Sequence, residues 1–233
     1  MPGYMMHLSE GRIMEKQLLD KGFLKEGKDL DLFRNGLLLP DTRLGADKKT
    51  THFWNGADEG RLALAPDLKL FYRRYGDRLK EPVLLGYHAH LHLDHVFVKK
   101  FWPENFRFFD GAGQEQVRRE KIKMVYLPKR GLTVPLDQFY SSEWYYGDYT
   151  RMNGLLIERY QVKVPEVIEG CAQGIDGVCE EKLYDVKKEL NRLLCHPKNG
   201  EELKVFFTDE LLSFLEKTAA EFLQLITSSK KAF

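Results

Sequence analysis

The segment GYHAHLHLDH, residues 86–95, places His88, His90, His92, Asp94 and His95 within ten consecutive positions. The whole chain has seven histidines, so more than half of its imidazoles sit in one short stretch. A neutral imidazole nitrogen and a carboxylate oxygen are both suitable ligands for zinc and related divalent ions. On an α-helix each residue turns about 100°, so His90 and Asp94, four apart, share one face and can meet one ion. His88, His92 and His95 then fall on a different, roughly opposite face. On a strand, His88, His90, His92 and Asp94 would instead line one face. The surrounding apolar run, LLGYHAHLHLDHVFVKKF, is long for one strand, so a helix is the expected carrier.

A helical pair supplies two ligands, and zinc usually takes four. Candidates for the remainder lie in scattered segments. Asp41 follows Pro40 in LLLPDTRLG, where a carboxylate at a helix end can point back into the core. His52 lies eleven residues later in KKTTHFW, and His7 lies in MMHL near the start of the chain. Only a fold can bring these together.

The elements that must position them read as mostly helical. HLSEGRIMEKQLLDKG has apolar residues at helical spacing and a stop glycine at Gly22. GKDLDLFRNGLLLPD predicts a second helix ending near Pro40. APDLKLFYRRYGDRL places Pro66 and Asp67 where a third would begin. The histidine segment runs from Pro82 to Trp102, apolar on nearly every side as in a buried central helix, and Pro103 is expected to stop it. From Pro103 to about Leu136 the pattern is irregular, and a short helix or a strand pair fits it. LDQFYSSEWYYGDYTRMNGLLIERYQ is helical in spacing, VPEVIEGCAQGIDG reads as a loop, and amphipathic helices are expected near Asp176–Leu194 and Asp209–Thr227. The expectation is a single all-α, multi-helical metal-binding domain over residues 1–233.

Composition narrows the function classes. Thirty-six basic and 35 acidic residues give a net charge of +1, so no general attraction to nucleic acid or to an anionic membrane is indicated. No apolar run reaches the roughly 18–20 residues of a membrane span, and the first residues lack the pattern of a secretory leader. Cys171, Cys179 and Cys195 match neither a disulfide framework nor a CxxC site, which predicts reduced thiols and a cytoplasmic location. No Gly-rich phosphate loop follows a strand.

Taken in order, MPGYMMHL, then PD, then THF, then GYxxHLxxDH resembles the zinc-dependent phospholipase C family, to which the zinc-dependent single-strand nucleases are related. The resemblance covers roughly the first hundred residues. It implies a helical scaffold in which Asp41, His52, His90 and Asp94 bind a core zinc, with His7 beside a neighbouring one. The family's third zinc needs downstream histidines, and after His95 only His196 remains, so one ion, or two bridged by Asp94, is expected. The implied activity is hydrolysis of a small phosphoester or phospholipid by a zinc-activated water, with zinc replaceable by another divalent metal. In this reading Asp94 bridges and Asp41 binds metal or, left free, accepts a proton. Tyr4, Phe53 and Trp54 are close in sequence to these ligands, with core packing the favoured role. The rival expectation is a non-catalytic helical protein with a structural metal site or none. A helical phosphohydrolase with a His-Asp pair is less favoured, because LDH reverses the order that such a motif needs.

Overall fold

A computed structural model describes residues 2–42, 48–195 and 202–229. Helices α1 (Tyr4–Asp20), α2 (Lys28–Leu38) and α3 (Lys48–Thr51) come first, with a 3-10 turn over Leu39–Thr42 after α2. Helices α4 (Leu68–Tyr75) and α5 (Pro82–Val96) follow. A π-helical turn, Phe97–Phe101, joins α5 to the short α6 (Trp102–Asn105). Next come strands β1 (Arg107–Phe109), β2 (Met124–Leu127) and β3 (Leu132–Pro135). Helices α7 (Leu136–Phe139), α8 (Tyr145–Tyr160), α9 (Lys182–Cys195) and α10 (Thr208–Ser229) complete the order.

The chain is mostly helical but not strictly all-α, which corrects the expected class. Strands β1, β2 and β3 form an antiparallel sheet in that order, with Val125 opposite both Phe108 and Val134. Val125, Leu127 and Val134 turn one face of it into the core. Pro103 does not stop the helical run: it sits in the first turn of α6, where its missing N–H has no helical partner to lose. The helical stretch after Pro135 is two helices, α7 and α8. The helix expected from near Asp176 begins only at Lys182.

Local rules account for most other boundaries. Gly22 takes φ +67° after α1, with the Phe23 N–H donating to the Leu18 carbonyl. Asp67 caps α4 by accepting from the N–H groups of Lys69 and Leu70. Helix α5 is central, and every residue from Val83 to Asp94 is buried.

The crossing of α2 on α5 sets the geometry that matters for function. A Cβ on Gly86 would lie 1.9 Å from the Phe33 carbonyl oxygen, and one on Gly36 would lie 2.0 Å from that of Val83. Only glycine at both positions lets the two backbones touch. The contact brings the end of α2, and the 3-10 turn after it, against the middle of α5. Helix α1 packs on α2, where the Arg34 Nε donates to Glu15 Oε1 at 2.7 Å in a buried ion pair. On α8, buried Asp148 accepts from the N–H groups of Lys204, Val205 and Phe206 at 2.7–3.0 Å, fixing the approach to α10.

Candidate metal centre

The five candidate ligands arrive on four elements or turns. His90 and Asp94 come from the middle of α5, Asp41 from the turn after α2, His52 from the residue after α3, and His7 from the first turns of α1. The end of α3 is wound tightly. Trp54 N–H donates to the Lys49 carbonyl and Phe53 N–H to that of Thr50, with Phe53 at φ +52° where glycine usually stands. A bulky residue there costs of the order of 1–2 kcal/mol. The turn directs His52 inward, while the Phe53 ring meets Phe71 and Tyr75 edge-on in the core.

The donor atoms converge. His52 Nε2 lies 3.4 Å from Asp41 Oδ1, 3.4 Å from Asp94 Oδ2 and 3.4 Å from His90 Nε2. His90 Nε2 lies 3.7 Å from Asp94 Oδ2. An ion bound at about 2.0–2.2 Å holds tetrahedral donors about 3.3–3.6 Å apart. These four separations are close to the edges of a coordination tetrahedron, and two groups of three donors that share His90 stand close enough to hold an ion: Asp41, His52 and His90, and His7, His90 and Asp94. His7 Nε2 sits on the other side of the same carboxylate, 3.6 Å from Asp94 Oδ1, and its ring stacks on His90 at 3.7 Å between centroids. Asp94 thus turns one oxygen towards His52 and His90 and the other towards His7.

The hydrogen bonds behind the rings aim their lone pairs. His90 Nδ1 donates to the Leu37 carbonyl at 2.8 Å, which leaves Nε2 bare. The Thr51 hydroxyl donates to the Lys48 carbonyl and accepts from His52 Nδ1 at 3.0 Å, leaving His52 Nε2 bare as well. Two bare nitrogens and two carboxylates facing one another repel unless a cation lies among them. Both Asp94 oxygens and both His7 nitrogens are buried and have no hydrogen-bond partner. Unpaired polar atoms cost about 1–3 kcal/mol each when buried. Such a donor set matches a divalent ion, and the buried His and Asp groups could hold one.

Electrostatics separates the two carboxylates. Burial pushes Asp94 up to about 6, against the pull of His52. Burial also pushes Asp41 upwards, but the contact with His52 and the proximity of His90 and Lys48 hold it well below the usual carboxylate range. Lys48 Nζ donates directly to Asp41 Oδ1. Paired in this way, the carboxylate stays ionised, as a metal ligand must be. Burial depresses His7 to about 3 and His90 well below the ordinary histidine value, so both are neutral and able to ligate.

The other histidines of α5 stand apart. His88 Nε2 is 2.8 Å from the Tyr72 hydroxyl, and the His88 and His92 rings pack against Phe222 of α10. His95 Nδ1 donates to the Pro66 carbonyl at 2.8 Å. Sequence reasoning missed Lys48 and Glu10. Glu10 lies one turn beyond His7 on α1, is fully buried, and has two oxygens without a partner. Burial, reinforced by Asp94, raises its pKa well above the usual range. Its three-residue spacing from His7 was the available signal.

A cavity of about 640 Å³ adjoins the cluster, lined in part by Lys48, Trp54, Arg61, Trp102, Arg119 and Tyr145. Lys48 belongs to both cavity and cluster, and the Trp54 ring centroid is 5.7 Å from that of His52. The Tyr4 hydroxyl stays outside the donor set and donates to the Asp41 backbone carbonyl. No helix of the described residues is long and apolar enough to cross a membrane. Comparison with known protein families, with curated proteins and with solved structures finds no match for this chain.

Proposed function

We propose that this chain is a zinc-dependent hydrolase of phosphoesters, of the phospholipase C type. The observation that carries the reading is the placing of the cationic cavity against the four-donor cluster, with Lys48 common to both. Asp41, His52, His90 and Asp94 hold the first ion; His7 and the second oxygen of Asp94 offer a partial second site. Zinc, when bound, supplies a Lewis acid for a phosphoryl oxygen and a water of lowered pKa. Lys48, Arg61 and Arg119 attract and orient the phosphoryl group. Trp54, Trp102 and Tyr145 give the cavity apolar walls that exclude bulk water. The substrate class this suits is a small phosphoester or a phospholipid headgroup.

One observation favours a second reading, in which the ion only staples the helices. His52, His90 and Asp94 are fully buried, and with Asp41 they already number the four ligands of a closed structural site.

Metal content of tag-free protein, followed by turnover of a phosphodiester, a phosphomonoester and a phospholipid, separates the readings. The hydrolase reading expects turnover that His90→Ala abolishes and His88→Ala leaves in place. A metal-loaded parent inert on all three substrate classes overturns it.

A further inference from the structure

On the face of α5 away from the metal cluster lies a second cavity, of about 700 Å³. That size is within the range of about 300–1,000 Å³ typical of small-molecule sites. Its walls are largely apolar, with Phe23, Leu79, Leu85 and Ile226 among them, and exposed Lys80 and Asp77 stand on its rim. The Tyr72–His88 pair lines it too.

We propose that this cavity binds an apolar carboxylate, a short fatty acid or a molecule of that chemistry.

The argument begins with hydrogens. A neutral imidazole and a phenol carry two polar hydrogens between them, one N–H and one O–H. The contact of 2.8 Å between Tyr72 Oη and His88 Nε2 uses one. If the phenol donates, the N–H remains on His88 Nδ1, which is buried without a partner. If His88 Nε2 donates, the phenol hydrogen remains. Either tautomer leaves one donor at the cavity wall, so an occupant with an acceptor is favoured. Where the phenol hydrogen remains, it sits on the half-buried Tyr72 hydroxyl, which an occupant of the cavity can reach. A carboxylate supplies the acceptor and can also pair with Lys80. An alkylammonium offers only donors, so it could pair with Asp77 but would leave that hydrogen unmet. The apolar wall takes the chain. This site is independent of the hydrolase reading, because none of its lining residues belongs to the metal cluster.

Titration calorimetry with decanoate and decylamine tests it. Decanoate should bind one per chain, with decylamine at least tenfold weaker. Lys80→Glu should weaken decanoate at least tenfold. That variant keeps every metal-cluster donor, so the loss would separate this cavity from carboxylate binding at the ions. The double variant Tyr72→Phe/His88→Phe removes both hydrogens and should also weaken decanoate at least tenfold, with its thermal melt run alongside. If the double variant does not fold, Lys80→Glu decides alone. No decanoate binding, equal binding of the amine, or unchanged decanoate affinity in either folded variant overturns the proposal.

Discussion

Replacing Asp94 by Asn should stabilise the metal-free protein and lose most of the stabilisation that zinc gives. Asp94 is fully buried, neither oxygen has a hydrogen-bond partner, and its pKa stands at about 6 against an ordinary 3.8. The folded protein therefore holds a proton there that the unfolded chain has released between those pH values. At about 1.36 kcal/mol for each pKa unit, the difference between 3.8 and about 6 destabilises the metal-free fold by about 3 kcal/mol at pH 7. Asp94→Asn removes the charge and keeps the shape, so the metal-free variant should be more stable than the parent by up to about 3 kcal/mol at pH 7. This advantage should vanish as the pH falls through 6 towards 4. With zinc this advantage is cancelled. At a concentration 1,000 times the parent's Kd, zinc adds about 4 kcal/mol of stability. A variant binding 100-fold more weakly then gains only about 1.4 kcal/mol. Chemical denaturation with chelator and with zinc, at pH 7 and pH 5, measures all four quantities. Equal zinc stabilisation of parent and variant, or a metal-free variant less stable than the parent at pH 7, would refute the ligand assignment.

Other expectations are independent of metal. Gly86→Ala places a methyl 1.9 Å from the Phe33 carbonyl oxygen, so α2 and α5 must separate; urea denaturation should show a loss of at least about 2–3 kcal/mol, and zinc affinity should fall with it. Asp148→Asn substitutes a neutral amide for a carboxylate that accepts three backbone N–H groups and pairs with Arg151, and should cost about 2–4 kcal/mol in the same assay. Burial holds His88 at about 3, so the folded state stays neutral there while the unfolded chain takes up a proton below about 6.5. That contribution is intact above pH 6.5 and lost as the pH falls, by about 2 kcal/mol at pH 5, and stability curves of His88→Phe should be flatter than the parent's over that interval.

How much of this was legible in the sequence depended on whether the determinant was local. The i,i+4 spacing of His90 and Asp94 and the apolar flanks of α5 sufficed to place two candidate ligands on one buried face. Asp67 as the cap of α4 and Gly22 after α1 were also local, and both stand where their residue types suggested. Asp41, His52 and His7 were different, because no periodicity connects them to α5. Their motif order suggested the set, and the Gly36–Gly86 crossing is what brings Asp41 and the Leu37 carbonyl against His90. Both glycines looked unremarkable in the sequence, since nothing local shows that another backbone presses on them. Lys48 could not be told from the other lysines for the same reason. The sheet was half-visible: 103–136 read as irregular, with a strand pair as one option. The three strands have only three or four residues each, too short for alternation to declare itself.

Lys48 also bears on whether the cluster is a staple or a working site. A structural ion needs four ligands held by groups that do not compete for them. Here Asp41 is already paired with an ammonium, which stands on the side of the cluster where burial is least complete. An ion taking Asp41 Oδ1 as a ligand repels Lys48, and the nearest space for its amine is the cavity that Lys48 already lines. The same movement leaves a cation beside the cluster, near Arg61 and Arg119, where a phosphoryl group entering the cavity would carry its negative charge. Three of the four donors are rigid and buried, and the fourth lies at the edge with a displaceable partner. That asymmetry suits an ion that must keep one side accessible to substrate, and it makes Lys48→Met the variant that divides the two readings. A staple should bind zinc more tightly once the competing ammonium is gone and lose nothing else. The hydrolase should bind zinc more tightly and lose turnover.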